Sequence, residues 1–484
     1  LSLPPQFQSG GNLSLVSNGV ISGDSHFVSG GNFSIRNLSG MPGSFVSLFD
    51  PIISSDESVY FDNYEGASLK VEAKGSIIGG NIKITGPDIG LPGNVSADQD
   101  ILRSSPALIL RAGVLNLSIP NNVPADITTD NQVKPEPGPG DAQFNPVTLS
   151  PNSLIFVENI KIAPEGPVIL SAPGNIATGD INGGRIILKS REGAVIVGGR
   201  LRSNSIINIK ANNNIVLTSD ISRADINGSI SLNTVRGNIV TRSIDTAPVN
   251  ITASENIRLT ASRDLTVGNL NAATVSAISR NGAVATGAIA TTGDVSIVAG
   301  QQISTAAITV NPAAANPVNR IIATVNLDAQ TNINVASINA PTATIALRAT
   351  NNLNAGNLQG RAVDVTSSTG NIATANTSST GNINLQAARN VNSGNLQGVG
   401  VSVNSNSGSI QTTNATAARN VSLSASGDVN AGNLRGVAVD VNSSAGNVIV
   451  TDVEATENIN LRAAQNVTAG NLQGVGVDLT SRGN

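Results

Sequence analysis

The sequence contains few residues of the types that catalyse reactions or bind metals. His26 is the only histidine, and the chain has no cysteine and no tryptophan. His26 ends the segment Gly23-Asp24-Ser25-His26, which is similar to the Gly-Asp-Ser block of some lipases. Those enzymes need a second, distant histidine as the base, and neighbouring residues on one strand point to opposite faces. We therefore expect His26 to be an ordinary residue of a strand or turn.

Paired carboxylates are the more serious catalytic candidates, because pectin-degrading enzymes also use β-helices. Asp364, Asp440 and Asp478 occupy equivalent, outward positions in a repeat that is described below. Asp440 and Asp478 would lie two coils apart, roughly 9.6 Å, near the upper limit for inverting glycosidases. Asn460 lies between them, however, and the flanking residues are small. We predict that the chain is not an enzyme; the alternative is a lyase or hydrolase that acts on polysaccharides.

No sequence pattern indicates a metal or cofactor. Zinc sites need cysteines or clustered histidines, and the calcium loop of EF-hands and the Gly-Gly-x-Gly-x-Asp repeat are both missing. Charged residues make up 12% of the chain, the net charge is −4, and basic residues form no run. Nucleic acid is therefore not an expected partner. No apolar run approaches the length that a membrane-spanning helix needs, so we predict no transmembrane helix.

The strongest signal is an internal repeat. The motif Gly-Asn-Leu-x-Gly recurs at a constant step, at 356–360, 394–398, 432–436 and 470–474. A finer repeat of 19 residues, half the length of the first, places a β-branched residue after a small polar residue six times in succession. The β-branched residues are Ile372, Val391, Ile410, Val429, Val448 and Val467, and the polar ones are Asn371, Asn390, Ser409, Asp428, Asn447 and Asn466. Such a period is typical of a solenoid.

Apolar and polar residues alternate within each repeat, as in Val439-Asp440-Val441 and Ile459-Asn460-Leu461. An alternation of apolar and polar residues with a period of two indicates a strand with one buried face. The finer repeat is too short for a strand-helix-strand unit. The pattern predicts an all-β, right-handed parallel β-helix with coils of about 19 residues. Valine and isoleucine should stack inside it, and asparagines should form ladders at the corners.

Upstream of these regular repeats the chain follows the same template less closely. We divide the whole chain into three parts. Residues 1–119 form an irregular N-terminal β-helix segment, 120–151 a proline-rich loop or linker, and 152–484 the repetitive shaft. A loop is expected at 311–317. The N-terminal part holds a group of aromatic residues, which we interpret as a hydrophobic plug beneath a large loop rather than a ligand site. These residues are Phe45, Phe49, Tyr60, Phe61 and Tyr64.

Three N-terminal segments resemble filamentous haemagglutinin-like exoproteins of bacterial two-partner secretion. They are Ser22–Ile35, Gly66–Ala73 and Ile101–Gly113, and the 19-residue repeats resemble the shaft of such proteins. The resemblance implies a right-handed β-helix, export through an outer-membrane transporter, and a secreted or cell-surface location outside the outer membrane. It also implies attachment to a host or neighbouring cell surface or to a glycan. The Asn-Pro-Asn-type motifs of the family's secretion domain do not occur in this sequence.

The last repeat, 470–479, is as regular as those before it. Solenoids commonly end in an atypical capping repeat that protects apolar side chains and strand edges. The sequence therefore suggests that further coils follow Asn484, and that any signal peptide lies before Leu1.

Overall fold

The computed structural model describes residues 6–49, 51–91, 96–117, 153–219, 221–223, 228–241, 249–311 and 323–483. The proline-rich segment 120–151 lies outside these residues, as do Asn484 and all of the expected loop at 311–317 except Asn311. The chain divides into two compact units, Leu1–Ser254 and Glu255–Asn484. The three-part division made from the sequence remains a prediction.

Both units are built from short parallel strands that return to the same positions in coil after coil. The prediction of an all-β, right-handed parallel β-helix is confirmed. In the first unit each strand pairs with the third strand after it, so that three strands make one coil and three sheets run along the unit. In the second unit several strands run through a corner without a break, and consecutive coils again pair in parallel.

The strands of the first unit are β1 Gln6–Ser9, β2 Leu13–Val16, β3 Ile21–Ser22, β4 His26–Ser29, β5 Phe33–Arg36, β6 Phe45–Ser47, β7 Ile52–Ser55, β8 Val59–Tyr60, β9 Tyr64–Ala67, β10 Leu69–Ala73, β11 Ile77–Gly79, β12 Ile82–Gly86, β13 Leu108–Arg111, β14 Ile155–Val157, β15 Ile160–Ile162, β16 Val168–Ala172, β17 Ile176–Thr178, β18 Ile181–Gly183, β19 Ile186–Ser190, β20 Val195–Val197, β21 Leu201–Ser203, β22 Ile207–Ala211, β23 Ile215–Leu217, β24 Ile221–Arg223, β25 Ile230–Thr234, β26 Ile239–Thr241 and β27 Ile251–Thr252. The only helix in the described residues, α1 Ala97–Ser104, lies between β12 and β13.

The strands of the second unit are β28 Asn256–Ala261, β29 Leu265–Val267, β30 Leu270–Ala272, β31 Thr274–Ser279, β32 Val284–Thr286, β33 Ile289–Thr291, β34 Val295–Ala299, β35 Ile303–Val310, β36 Thr324–Ala329, β37 Ile333–Ala349, β38 Leu353–Ser367, β39 Ile372–Thr374, β40 Thr377–Ser379, β41 Ile383–Ala387, β42 Val391–Gly398, β43 Val401–Ser405, β44 Ile410–Ala417, β45 Val421–Ala425, β46 Val429–Ala431, β47 Leu434–Gly436, β48 Val439–Ser443, β49 Val448–Val450, β50 Val453–Ala455, β51 Asn458–Ala463, β52 Val467–Ala469, β53 Leu472–Gln473 and β54 Gly476–Ser481.

The predicted stack of β-branched residues exists, and its members are register partners in consecutive coils. Ile372 pairs with Val391, and the pairing continues without a break to Val467. The first five members are buried, as expected. The prediction is wrong for Val467, which is only half-buried because no described coil covers it from the other side.

The polar residue before each stacked residue forms the expected ladder at the corner. From Asn352 onward, each side-chain oxygen accepts a hydrogen bond from the backbone N–H of the equivalent residue in the next coil. These six bonds measure between 2.7 and 3.1 Å. Serine and aspartate replace asparagine at two positions because only an acceptor oxygen is needed there. The ladder fixes the corners, where sheet hydrogen bonds are interrupted.

We expect replacement of Asn447 with Ala to lower the local free energy of unfolding by about 1 kcal/mol, the usual value of one hydrogen bond. Its Oδ1 accepts from the Asn466 N–H, and its Nδ2 donates to Asp428. Hydrogen exchange of the β49 amides measures the change. Asn430→Ala is the control, because Asn430 is exposed in β46. Equal effects of the two substitutions would contradict a stabilising role for the ladder.

The Gly-Asn-Leu-x-Gly motif is explained by the same corner geometry. A Cβ atom at Gly356 or Gly432 would overlap the backbone oxygen of the preceding coil, so only glycine fits. The asparagine that follows belongs to a second ladder, in which Asn357 Oδ1 accepts from the Asn376 N–H at 3.2 Å. The leucine points inward, and Leu358 is buried. Each of these residues of the motif therefore has a structural role.

The aromatic group of the N-terminal part lies within the stack of coils, not beneath a large loop as we predicted. Phe45 on β6 and Tyr64 on β9 are register partners in consecutive coils, Phe27 lies on β4, and all three side chains are buried. Their ring centroids are 5.8 Å apart for Phe27 and Phe45 and 5.3 Å apart for Phe45 and Tyr64. Phe61 is also buried, whereas Phe49 is 45% exposed. The rings replace the aliphatic stack of the later coils.

Candidate functional site

The carboxylates singled out from the sequence all lie in one row on the outer surface of the second unit. Asp440 pairs in register with Asn460, which pairs in turn with Asp478. Both aspartates are exposed, as expected, whereas Asp364 is only partly exposed. Asp364 lies 3.7 Å from Arg348, and Asp478 lies 3.8 Å from Arg462. Asn460 separates the two aspartates as predicted, and this arrangement does not favour catalysis.

Two of the shallow grooves on the described surface of the second unit are lined mainly by amides and small residues. One, of about 520 Å³, is lined by Asn334, Asn354 and Asn392 beside small residues such as Gly356. The other, of about 710 Å³, follows the second asparagine ladder and contains an exposed ion pair between Arg435 and Glu454, at 3.1 Å. Neither groove brings several titratable groups together in a water-excluded place. Among the described residues, no three His, Asp or Glu side chains are close enough to hold a metal ion.

A different part of the molecule holds a concentrated set of charges, which the sequence did not lead us to expect. His26, Ile52, Lys70, Ile109 and Ile169 are consecutive register partners across five coils of the first unit. The same row continues to Ile187 and then to the half-exposed Asn208, so it is the outward row of this sheet. Its first five members are nevertheless 0 to 2% exposed. Another element must therefore cover the sheet here.

Over Ile52, Ile109 and Ile169 that element is α1, whose ends follow the usual rules of helix capping. The Ser96 side chain is the N-cap, and its Oγ accepts the Gln99 N–H at 3.2 Å. Asp98 and Asp100 lie in the first turn and Arg103 in the last, where each charge complements the helix dipole. The helix packs against the outward row through an apolar cluster. The cluster consists of Ile52, Leu91, Leu102, Ala107, Ile109 and Ile169.

Beneath α1 lies a charge cluster of four buried side chains: Lys70 and Glu72 on β10, Arg111 on β13, and Asp98 on the helix. Each is at most 2% exposed. Arg111 donates to both oxygens of Asp98, with Nη1–Oδ2 and Nη2–Oδ1 distances of 2.5 and 2.8 Å, and to Glu72 Oε1 at 2.9 Å. Lys70 Nζ lies 3.4 Å from Glu72 and 3.5 Å from Asp98. Two cations thus balance two carboxylates.

The surroundings shift the ionisation of two neighbouring groups. Burial, and to a smaller extent the nearby charge of Lys70, lowers the pKa of His26 from 6.5 to about 4. His26 is therefore neutral at pH 7, and its Nε2 is buried without a hydrogen-bond partner. Burial opposes the charge of Arg111, but Asp98 and Glu72 outweigh it and raise its pKa above the ordinary value. His26 lies in β4, as we expected of a strand or turn residue. Its burial and its Nε2 without a partner are not ordinary for such a residue.

The fold and these sites can be compared with known proteins. The model of the Toastrack DUF4097 family matches residues 361–483. The match covers about a quarter of the chain and lies wholly within the second unit, from β38 to β54. That part of the chain is similar to the family, and the charge cluster lies outside it. No curated protein and no solved structure matches the chain.

Sequence reasoning missed the charge cluster because its residues lie at positions that alternation assigns to the solvent. In Leu69-Lys70-Val71-Glu72-Ala73 the charged residues alternate with apolar ones, which indicates a strand with one wet face. The available signal was Ser96 followed by acidic residues, the pattern of a helix start, within a chain made otherwise of strands. The described part of the chain contains no helix with the length and hydropathy needed to span a membrane.

Proposed function

We propose that the chain is a structural shaft of a secreted or surface-exposed bacterial adhesin that resembles filamentous haemagglutinin. The single observation that supports this most is the continuous parallel pairing of the described coils in the second unit, with small polar residues outside and aliphatic residues inside. Each coil adds one strand spacing, about 4.8 Å, to the length of the unit. Such an element provides length and a repeated surface rather than one reactive pocket.

The uniform outer face supports attachment through many weak contacts. Amide and hydroxyl groups recur at constant spacing, as in the Asn354 Nδ2–Asn334 Oδ1 bond of 3.0 Å between adjacent coils. A ligand with a repeating structure, such as a cell-surface glycan, can meet equivalent groups on several coils, and weak contacts then add in avidity. We propose a host or neighbouring cell surface, or its glycans, as the partner. Export through an outer-membrane transporter of the two-partner type belongs to the same proposal.

Staining of intact cells of the source organism tests the location. An antibody against the folded chain should label intact cells about as strongly as permeabilised ones, and external protease should remove the signal. Labelling that appears only after permeabilisation would contradict a surface location.

Beads that carry the purified full chain test adhesion separately. They should attach to cells or immobilised glycans, whereas beads with the heat-unfolded chain should not. Equal attachment of both preparations, or none, would contradict the adhesive role.

A further inference from the structure

We propose that the first unit carries a lateral contact surface for a second copy of this chain, formed by a stripe of apolar side chains on the outside of one of its three sheets. The proposal goes beyond the shaft function and does not depend on it.

The apolar stripe follows one outward row through consecutive coils of the first unit. Its members are the register partners Tyr60, Ile78, Phe156, Ala177, Ile196, Val216 and Val240. Phe156, Ile196 and Ile78 are 47%, 38% and 36% exposed, and the other members are half-buried. With one strand spacing per coil, the stripe is roughly 29 Å long. No charged residue interrupts it.

The other two sheets of the first unit have outward rows of a different kind. In one sheet, the apolar outward residues Ile52, Ile109 and Ile169 are covered, because α1 packs over them. In the other, the outward row is polar and consists of the register partners Lys83, Lys161, Asn182 and Arg202. In the described part of the first unit, the stripe is therefore apolar like the covered row but exposed like the polar one.

The coil itself does not require apolar residues at these outward positions. Outward register partners in the second unit, such as Asn334 and Asn354, are polar, and their coils pair in the same way. Contiguous apolar surface on a soluble protein commonly marks a contact with a partner. The stripe is thus better explained by a partner than by the folding of the unit.

The shape of the stripe suits a second copy of the same unit. It is one residue wide, because the neighbours of each member along its strand point inward. A second copy presents the same row with the same spacing of about 4.8 Å, so that apolar side chains meet along the whole length. The contact is isologous, as in most homodimers. The row is much smaller than the roughly 20 to 30 residues that each partner contributes to a stable complex, so the dimer is weak and reversible.

Sedimentation of the full chain at increasing concentration tests the contact. A reversible dimer should appear, and Phe156→Ser combined with Ile196→Ser should raise its dissociation constant at least about tenfold, since apolar area is lost from both copies. The matched control is Asn182→Ser combined with Asn208→Ser, because both asparagines point outward on the other two sheets. The control should leave the dissociation constant unchanged. Unchanged hydrogen exchange of the β14 and β20 amides shows that both variants are folded.

A single thiol locates the contact on the surface, because the chain has no cysteine of its own. Ile196→Cys should react rapidly with a maleimide in dilute solution, where the chain is monomeric, and more slowly at concentrations where dimers form. Asn182→Cys, on the polar row, should react at the same rate in both solutions.

Four results would overturn the proposal. One is a full chain that stays monomeric up to about 1 mM, the range of very weak association. Another is a dimer that Phe156→Ser with Ile196→Ser leaves unchanged, since it would use a different surface. Slow reaction of Ile196→Cys in the dilute monomer would mean that another part of the chain already covers the stripe. Binding of the monomer to phosphatidylcholine vesicles, lost in the stripe variant and without any dimer, would assign the stripe to lipid instead.

Discussion

Replacement of Val429 with Asp should lower the free energy of unfolding in the second unit by about 4 kcal/mol. Val429 is 0% exposed and stacks between Ile410 and Val448. A carboxylate there has no cation to pair with inside the stack, so it either remains charged at a high desolvation cost or takes up a proton. Hydrogen exchange of the β46 amides and of their neighbours β44 and β49 reports the local free energy directly.

The matched control is Asn430→Asp, which introduces the same charge one residue further along the same strand. Asn430 points outward and is exposed, because successive residues of a strand face opposite sides. Its substitution should change stability by less than about 0.5 kcal/mol, as is usual for surface positions. Similar losses in the two variants would mean that Val429 is not part of a closed interior. Unchanged protection in Val429→Asp would contradict the 19-residue coil itself.

Replacement of Arg111 with Met should lower the free energy of unfolding of the first unit by about 3 to 5 kcal/mol. Methionine keeps much of the apolar stem but removes three hydrogen bonds to carboxylates. Glu72 and Asp98 would then lose the guanidinium charge that balances them in a buried place. Urea unfolding followed by hydrogen exchange in β10 and β13 measures the loss, and α1 should lose protection first.

Arg462→Met provides the comparison, since it removes an ion pair of the same type from an exposed position. Arg462 Nη2 lies 3.8 Å from Asp478, and the two side chains are 49% and 57% exposed. Water and salt screen such pairs, so its loss should cost at most about 1 kcal/mol. If Arg111→Met were as mild as Arg462→Met, the buried charges would not stabilise the contact between α1 and the sheet.

The two predictions concern opposite ways of building a solenoid. In the second unit, one pattern of small residues repeats, and each coil is stabilised by the next through stacking and corner ladders. In the first unit, aromatic rings fill the interior near the N-terminus, and α1 covers an outer face that carries isoleucine and buried charge. The regular unit suits a surface of constant spacing, whereas the irregular unit has an outer face that a helix covers.

The sequence by itself determined the parts of this protein that depend on local period. Alternation assigned Val429 to the interior and Asp440 to the surface, and the 19-residue step placed Ile372 beneath Val391. The corner ladders also followed, because an acceptor oxygen at a fixed step meets the same backbone N–H in every coil. These features need only the strand spacing and the two faces of a strand.

Only the tertiary structure decided which outward residues are covered. Alternation places Lys70, Glu72 and Ile109 on the outer face, but it cannot say whether another segment packs there. The convergence of Asp98 with Arg111 depends on where α1 docks, because the two residues come from different elements. The same limit applies to Val467, whose exposure depends on a neighbouring coil rather than on its own repeat. A period fixes the direction of a side chain, whereas the environment of that side chain is fixed by what packs against it.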